Sequence, residues 1–302
     1  MTAPALHIAI TGATGLVGTA LCAHLAGCGH QVTAVTRRPG IPDTVYWDPA
    51  AGILDPNALS GVDAVVHLAG EPIAARRWTT AQKRRIRDSR VNGTRLLADA
   101  IASAPDGPRV LVSGSAIDYY PDGDEPRTET SAPATDFLGT VCQQWEAATE
   151  HAATAGVRVV HLRTGHVQSP AGGALARMLP VFRAGLGGRF GSGQQWWSWI
   201  SITDHVGIVT HALTHEQVTG PVNATAPNPV TNAEFTATLG KVLRRPAMFR
   251  IPRVAPSLLF GRELVNNLLY AGPRVIPSAI QGFGYEFAHA DLETALRAEL
   301  GR

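Results

Sequence analysis

Cysteine is scarce. Cys22, Cys28 and Cys142 are the only three in 302 residues, their spacing suits no metal site, and an odd count argues against a disulfide framework. No apolar run approaches the ~20 residues that a membrane helix needs, so no membrane partner is expected. Charge of one sign is missing too: 26 Lys and Arg stand against 24 Asp and Glu, a balance that predicts no strong electrostatic partner, and no nucleic acid is expected. The chain has neither the Gly-x-Ser-x-Gly elbow of serine hydrolases nor the His-Glu-x-x-His zinc signature. No metal is expected. The first apolar run follows the start within a few residues, without a charged-then-apolar leader, and the expected location is cytoplasmic.

What is present describes a compact protein. Hydrophobic residues make up 45% of the chain, enough for one elaborated domain or two closely packed ones. The one dense basic run, Lys83 to Arg87 with Arg76 and Arg77 before it, suits either a solvated helix face or contact with an anionic ligand. Short apolar runs at 6–11, 31–36, 45–47, 64–68, 109–113 and 158–163 alternate with helical stretches at 16–26, 80–103 and 140–154. Strands separated by helices of this length predict an α/β fold, a Rossmann-type doubly wound parallel sheet covered on both faces. Beyond about residue 165 Gly-rich and Pro-rich stretches break the pattern, and helices at 232–243 and 257–269 follow. The expected division is a nucleotide-binding part over 1–165, with a return near 195–225. A smaller, mostly helical C-terminal substrate part takes 166–194 and 226–302.

The strongest local signal is Thr11-Gly-Ala-Thr-Gly-Leu-Val-Gly18. Gly12, Gly15 and Gly18 follow a strand and open a helix. One makes the tight turn, one lets the backbone approach a pyrophosphate, and one allows close helix–strand packing. Thr14, Leu16 and Val17 belong to the same turn, and the helix N-terminus offers free amides to phosphate. An NAD site places a carboxylate about 20 residues further on to bind the ribose hydroxyl. Here the second strand ends in Thr36-Arg37-Arg38, and a guanidinium instead grips the extra phosphate of NADP. NADP is the expected cofactor, with Arg37 the principal contact.

This loop, the strand ending in His67-Leu-Ala-Gly70 and Ser113-Gly-Ser115 resemble the extended short-chain dehydrogenase/reductases. Leu68-Ala-Gly-Glu-Pro-Ile73, Arg77-Trp78, Ser89-Arg90-Val91, Trp197-Ser-Trp199-Ile200, Pro227-Asn-Pro-Val-Thr-Asn232 and Arg274-Val-Ile-Pro277 narrow the resemblance. They are similar to the epimerase-family branch labelled SulA-like sugar-nucleotide epimerase, which carries a C-terminal domain of unknown function. The resemblance implies that Leu68, Ala69 and Gly70 line the cofactor and that Arg90 reaches it. Arg85, Ser113, Arg163, Thr164 and Val167 are further cofactor candidates. It also implies pairing of two copies through helices within 80–103 and 140–154, a possible homodimer.

In most of that superfamily a tyrosine moves the proton, a lysine four residues later lowers its pKa, and a serine steadies the substrate oxygen. Ser115 stands in the serine position. The tyrosine and lysine positions, aligned through Glu146, fall on Leu138 and Cys142, which cannot do that work. Tyr119, Tyr120 and Glu71 are the candidate replacements, with loop packing as the alternative for the tyrosines. Cys142 suits a site thiol or a small buried hydrophobe. Trp196, Trp197 and Trp199 suit a cleft wall or an interdomain joint, His166 an acid–base group or a structural one, and Asp204-His205 an anchor to a later helix. Two functions are open: an NADP(H)-dependent oxidoreductase or epimerase on a small polar or nucleotide-sugar substrate, and a non-catalytic NADP(H)-binding regulatory or sensor protein.

Overall fold

The computed structural model describes residues 4–302, so the first three residues of the 1–165 part lie outside the described residues. Among the described residues β1 (His7–Thr11), β2 (Gln31–Thr36), β3 (Thr44–Asp48), β4 (Ile53–Leu54), β5 (Ala64–His67), β6 (Val110–Ala116), β7 (Arg158–Thr164) and β8 (Gly220–Ala224) form one sheet. Its order is β8-β7-β6-β5-β1-β2-β3-β4. Neighbours run parallel except β3 and β4. The chain moves outward from β1 to β4, then returns to β5 on the other side of β1. That reversal opens a crevice beyond the strand C-termini, the place where doubly wound sheets bind ligands.

Alternation along β1 builds a core on each face. Ile8 and Ile10 pack with Leu21 and Leu25 of α1 (Leu16–Gly27), while Ala9 faces Leu97 and Ile101 of α2 (Thr80–Ser103). Each fully buried leucine contributes about 1.5–3 kcal/mol. The helical stretch expected over 140–154 is two helices, α3 (Phe137–Ala147) and α4 (Glu150–Thr154). At the break the Thr149 hydroxyl donates to Glu146 O at 2.8 Å and meets His161 Nε2 at 2.9 Å, a side-chain alternative to the backbone ladder.

A further core joins α5 (Gly173–Arg183), α7 (Asn232–Leu243) and α11 (Leu292–Leu300), with Leu175, Phe235 and Leu296 at its centre. Trp197 and Trp199 are buried in it. Helix α6 (Ile202–Thr214), capped by Ser201, returns the chain to the sheet. The helix expected over 257–269 is likewise divided, into α8 (Val254–Phe260) and α9 (Arg262–Leu269), by Gly261 at φ +87°. The short helix α10 (Ser278–Gly282) packs Ile280 under the sheet. No helix among the described residues is long and apolar enough to cross a membrane.

Candidate functional site

The crevice floor is the glycine turn after β1. Gly12 has φ +70°, and a Cβ there would lie 2.9 Å from Leu68 C; one on Gly18 would lie 2.2 Å from Gly12 O. Neither position admits a side chain without moving backbone. Gly15 N donates to Gly12 O at 2.9 Å, Thr14 and Gly15 are exposed, and α1 begins at Leu16 without a side-chain cap. The amides of Leu16, Val17 and Gly18 therefore lack i−4 helical partners and, with the positive end of the helix dipole, suit a phosphate. Beside the turn, Thr36 Oγ1 accepts from Arg38 N at 3.2 Å. Arg37 and Arg38 are exposed, and neither takes part in an ion pair among the described residues.

The β5 end is fixed by Thr11, whose Oγ1 accepts from Leu68 N at 3.1 Å and Ala69 N at 3.2 Å and meets His67 Nδ1 at 2.7 Å. Burial, aided by the Arg90 charge, pushes His67 down to about 4. Arg90 of α2 donates to Glu71 O at 3.0 Å and Ile86 O at 3.2 Å. Its guanidinium lies 5.1 Å from the Trp145 ring and 3.3 Å from where a Gly70 Cβ would stand. Gln82 Nε2 donates to Glu71 Oε1 at 3.1 Å, and Arg85 Nε lies 3.9 Å from the same oxygen. Glu71, Arg85 and Arg90 are thus brought together at one rim.

The ends of β6 and β7 hold a different arrangement. Ser113 is fully buried within the sheet, opposite His67. Ser115 Oγ donates to Glu146 Oε1 at 2.7 Å, and Arg163 grips Glu146 through Nε and Nη2, both at 2.8 Å. Arg163 Nη1 also donates to the Tyr120 hydroxyl at 2.7 Å, which itself donates to Asn223 Oδ1 at 2.7 Å. Burial, opposed by Arg163, pushes Tyr120 up to about 12. Ser115 and Tyr120 are held in this buried network. Tyr119 lays its ring over Arg163, 3.5 Å from the guanidinium, and its hydroxyl has no partner among the described residues.

Leu138 and Cys142 are buried on α3, and burial, with the Asp118 and Glu146 charges, raises the Cys142 thiol far above its usual range. Asp118, on the turn after β6, is pushed up to about 6 by burial and by Asp136 and Asp122, against the lowering effects of its own backbone and Arg90. Glu146, Asn223 and Asp118 carry no motif. Only Glu146, as an alignment anchor, drew notice in the sequence.

Thr164 Oγ1 meets His205 Nε2 at 3.1 Å at the end of β7. Beyond it, Cβ atoms on Gly172 and Gly173 would stand 3.1 and 3.3 Å from the Leu16 side chain. The segment carrying Val167 therefore passes beside the N-terminus of α1. His166 stacks on Trp197 with ring centroids 4.0 Å apart and is pushed by burial down to about 4, a packing role. Asp204 accepts from Ala288 N at 2.7 Å and His289 N at 3.0 Å, anchoring α6 to the C-terminal segment. Part of the basic run is structural: Arg77 donates to the Leu258 and Leu259 carbonyls, and Lys83 pairs with Glu263. No group of three or more His, Cys, Asp or Glu among the described residues could hold a metal ion.

Residues 8–224 match the NAD dependent epimerase/dehydratase family, and residues 251–299 match a domain of unknown function, DUF1731. An epimerase family protein of Mycobacterium tuberculosis is 45% identical over 96% of this chain and 96% of its own length. The crystal structure of human epimerase family protein SDR39U1 with NADPH superposes with a TM-score of 0.90 at 37% identity, covering 98% of this chain and 99% of that one. A nucleoside-diphosphate sugar epimerase from Corynebacterium glutamicum is 37% identical with a TM-score of 0.80, covering 99% of this chain and 59% of that longer one. With most of the sheet inside the matched segment and relatives aligned almost end to end, the chain belongs to the NAD dependent epimerase/dehydratase family.

Proposed function

We propose that this chain is an NADP(H)-dependent oxidoreductase or epimerase acting on a small polar molecule, with a nucleotide sugar as one candidate. The observation that carries the reading is the crevice at the switch point. A glycine turn that admits no Cβ meets an uncapped helix N-terminus, and Arg37 and Arg38 stand beside it without carboxylate partners. The human relative, solved with NADPH, supports the phosphorylated form of the cofactor. The group contributes hydride chemistry at its nicotinamide ring when bound.

The chain supplies positioning and a proton. Gly12, Thr14, Gly15 and the amides of Leu16, Val17 and Gly18 hold the pyrophosphate, and Thr36, Arg37 and Arg38 the 2′-phosphate. Leu68, Ala69 and Gly70 form the rim under the ribose, with Arg85 and Arg90 as cations beside it. Ser113, Arg163 and Thr164 border the crevice from β6 and β7, and Val167 from the segment that follows β7. For the proton, Glu71 and Tyr119 are favoured over Ser115 and Tyr120. One Glu71 oxygen accepts from Gln82, leaving the other without a protein donor among the described residues, whereas Tyr120 and Ser115 serve Arg163 and Glu146.

One observation favours the rival, a non-catalytic NADP(H)-binding regulator. Leu138 and Cys142 fill the tyrosine and lysine positions as buried residues, leaving α3 without the usual acid–base pair. Titration with NADPH and NADH, followed by nicotinamide fluorescence, tests the cofactor. Oxidation of bound NADPH by carbonyl or nucleotide-sugar substrates then separates the two readings. Binding of neither nucleotide defeats both.

A further inference from the structure

The turn Ile117–Tyr119 follows β6 directly, so it stands at a strand C-terminus, where the crevice of a doubly wound sheet opens. Its two flanks are fixed. Ile117 is buried with Tyr120 and Val275, while Tyr119 lays its ring on Arg163 and its carbonyl accepts from Ala134 N at 2.7 Å. Asp118, between them, is half-buried. Its charge acts on Arg90 of α2 and on Cys142 of α3, so its carboxyl faces the same space as both. The other charged groups around it are Asp136, which caps α3, and Asp122 of the same loop.

A carboxylate taken out of water is ordinarily paired. Asp118 is not. Among the described residues no donor from another residue reaches it, and it forms no ion pair with Arg90; its own backbone amide is the one hydrogen-bond donor that steadies its charge. Arg90 uses only Nη1, on Glu71 O and Ile86 O, which leaves Nε and Nη2 uncommitted. An anion at the β6 end and a cation at the β5 end, each short of partners, thus border the crevice on neighbouring strands. Cys142, at the position of the usual lysine, hydrogen-bonds the Ala116 backbone two residues before Asp118. Asp118 therefore lies beside the place where the tyrosine–lysine pair of the superfamily acts.

We propose that Asp118, opposite Arg90, is the group that holds and moves the reaction's proton beside the nicotinamide, in the role that Leu138 and Cys142 cannot fill. A group that both gives and takes a proton works best with a value near the working pH. Burial, with Asp136 and Asp122, holds Asp118 at about 6, whereas Tyr120 is held at about 12. Glu71, at the same rim, has one oxygen committed to Gln82. Keeping an unpaired carboxyl out of water costs the fold stability, a trade-off met where function needs the group. The inference deepens the proposed function: it rests on that reading's cofactor and moves the proton from Glu71 and Tyr119 to Asp118.

The test needs no substrate. A carboxylate beside the nicotinamide favours the positively charged oxidised ring over the neutral reduced one. Calorimetric titration of the full chain with NADP+ and with NADPH between pH ~5 and ~8 should therefore show the relative affinity for NADP+ rising roughly tenfold as Asp118 ionises. Both nucleotides carry the same 2′-phosphate, so its own titration cancels in the ratio. Asp118→Asn should hold the ratio at its acid value throughout, and Glu71→Gln should leave the step intact. Thermal melts verify that every sample is folded at every pH. A step that survives Asp118→Asn, or one lost only in Glu71→Gln, overturns the proposal. Binding of both nucleotides with a ratio indifferent to pH defeats this inference and leaves the cofactor reading intact, whereas binding of neither defeats both.

Discussion

Arg37 and Arg38 follow β2, exposed and without carboxylate partners among the described residues, so each is available to an incoming phosphate. A charge-assisted hydrogen bond contributes about 1.5–3 kcal/mol, so Arg37→Ala should weaken NADPH binding by roughly 10–100-fold. NADH affinity should stay nearly constant, and nicotinamide fluorescence measures both. An equal loss for the two nucleotides would assign Arg37 to the fold instead of the 2′-phosphate. Glu146 predicts differently. Removing it leaves the Arg163 guanidinium buried without its carboxylate, and breaking such a pair costs about 3–5 kcal/mol. Glu146→Ala should therefore lower stability severely in urea unfolding, while Ser115→Ala, which removes one hydrogen bond to the same carboxylate and leaves the ion pair in place, should cost about 1.5–3 kcal/mol. The contrast also explains what the sequence could disclose. Gly12, Gly15 and Gly18 are legible because their roles arise within seven consecutive residues. The Ser115–Glu146–Arg163–Tyr120–Asn223 network joins residues up to 103 positions apart, and no local pattern encodes it.

At the scale of elements, the parallel strands are readable because burial on both faces favours runs that are mostly apolar, as in the fully buried Ala64–His67. Helix interruptions are harder to see. At the α3–α4 break the Thr149 hydroxyl is engaged both by Glu146 O and by His161 on a neighbouring strand, and the second partner is 12 residues away in sequence. Helix α6 escaped because its apolar face reads as a continuation of the irregular segment before it. Gly261 was visible as a residue but not as a boundary. With φ +87° and ψ 149° it occupies a region that only glycine visits readily, and it lets Arg77 reach the C-terminal carbonyls of α8. Gly261→Ala should cost about 1–3 kcal/mol in unfolding free energy and leave NADPH affinity unchanged. An unaltered urea midpoint would mean that α8 and α9 can be joined in another conformation at no penalty.

The whole molecule couples its packing to pH. His67, His166 and His205 are each pushed by burial down to about 4, against an ordinary value near 6.5. Between pH ~6.5 and ~4 the unfolded chain binds protons that the folded chain refuses, so stability falls as the solution is acidified through that window. A fully expressed shift of this size is worth up to roughly 3 kcal/mol per histidine. Asp118 acts in the opposite sense. Its folded value of about 6 lies above the ordinary 3.8, so the folded chain gains stability from it as pH drops through the same range. One carboxyl offsets at most one histidine, and the remaining two are comparable with the lower end of a domain's 5–15 kcal/mol total stability. The melting temperature should therefore fall steeply between pH 7 and pH 4.5. A flat or rising profile would mean that the three histidines take up protons without leaving the fold. Asp118→Asn adds a control whose sign is fixed in advance: it removes the carboxylate that burial disfavours, so it should raise the melting point at pH 7 and make the acid decline steeper.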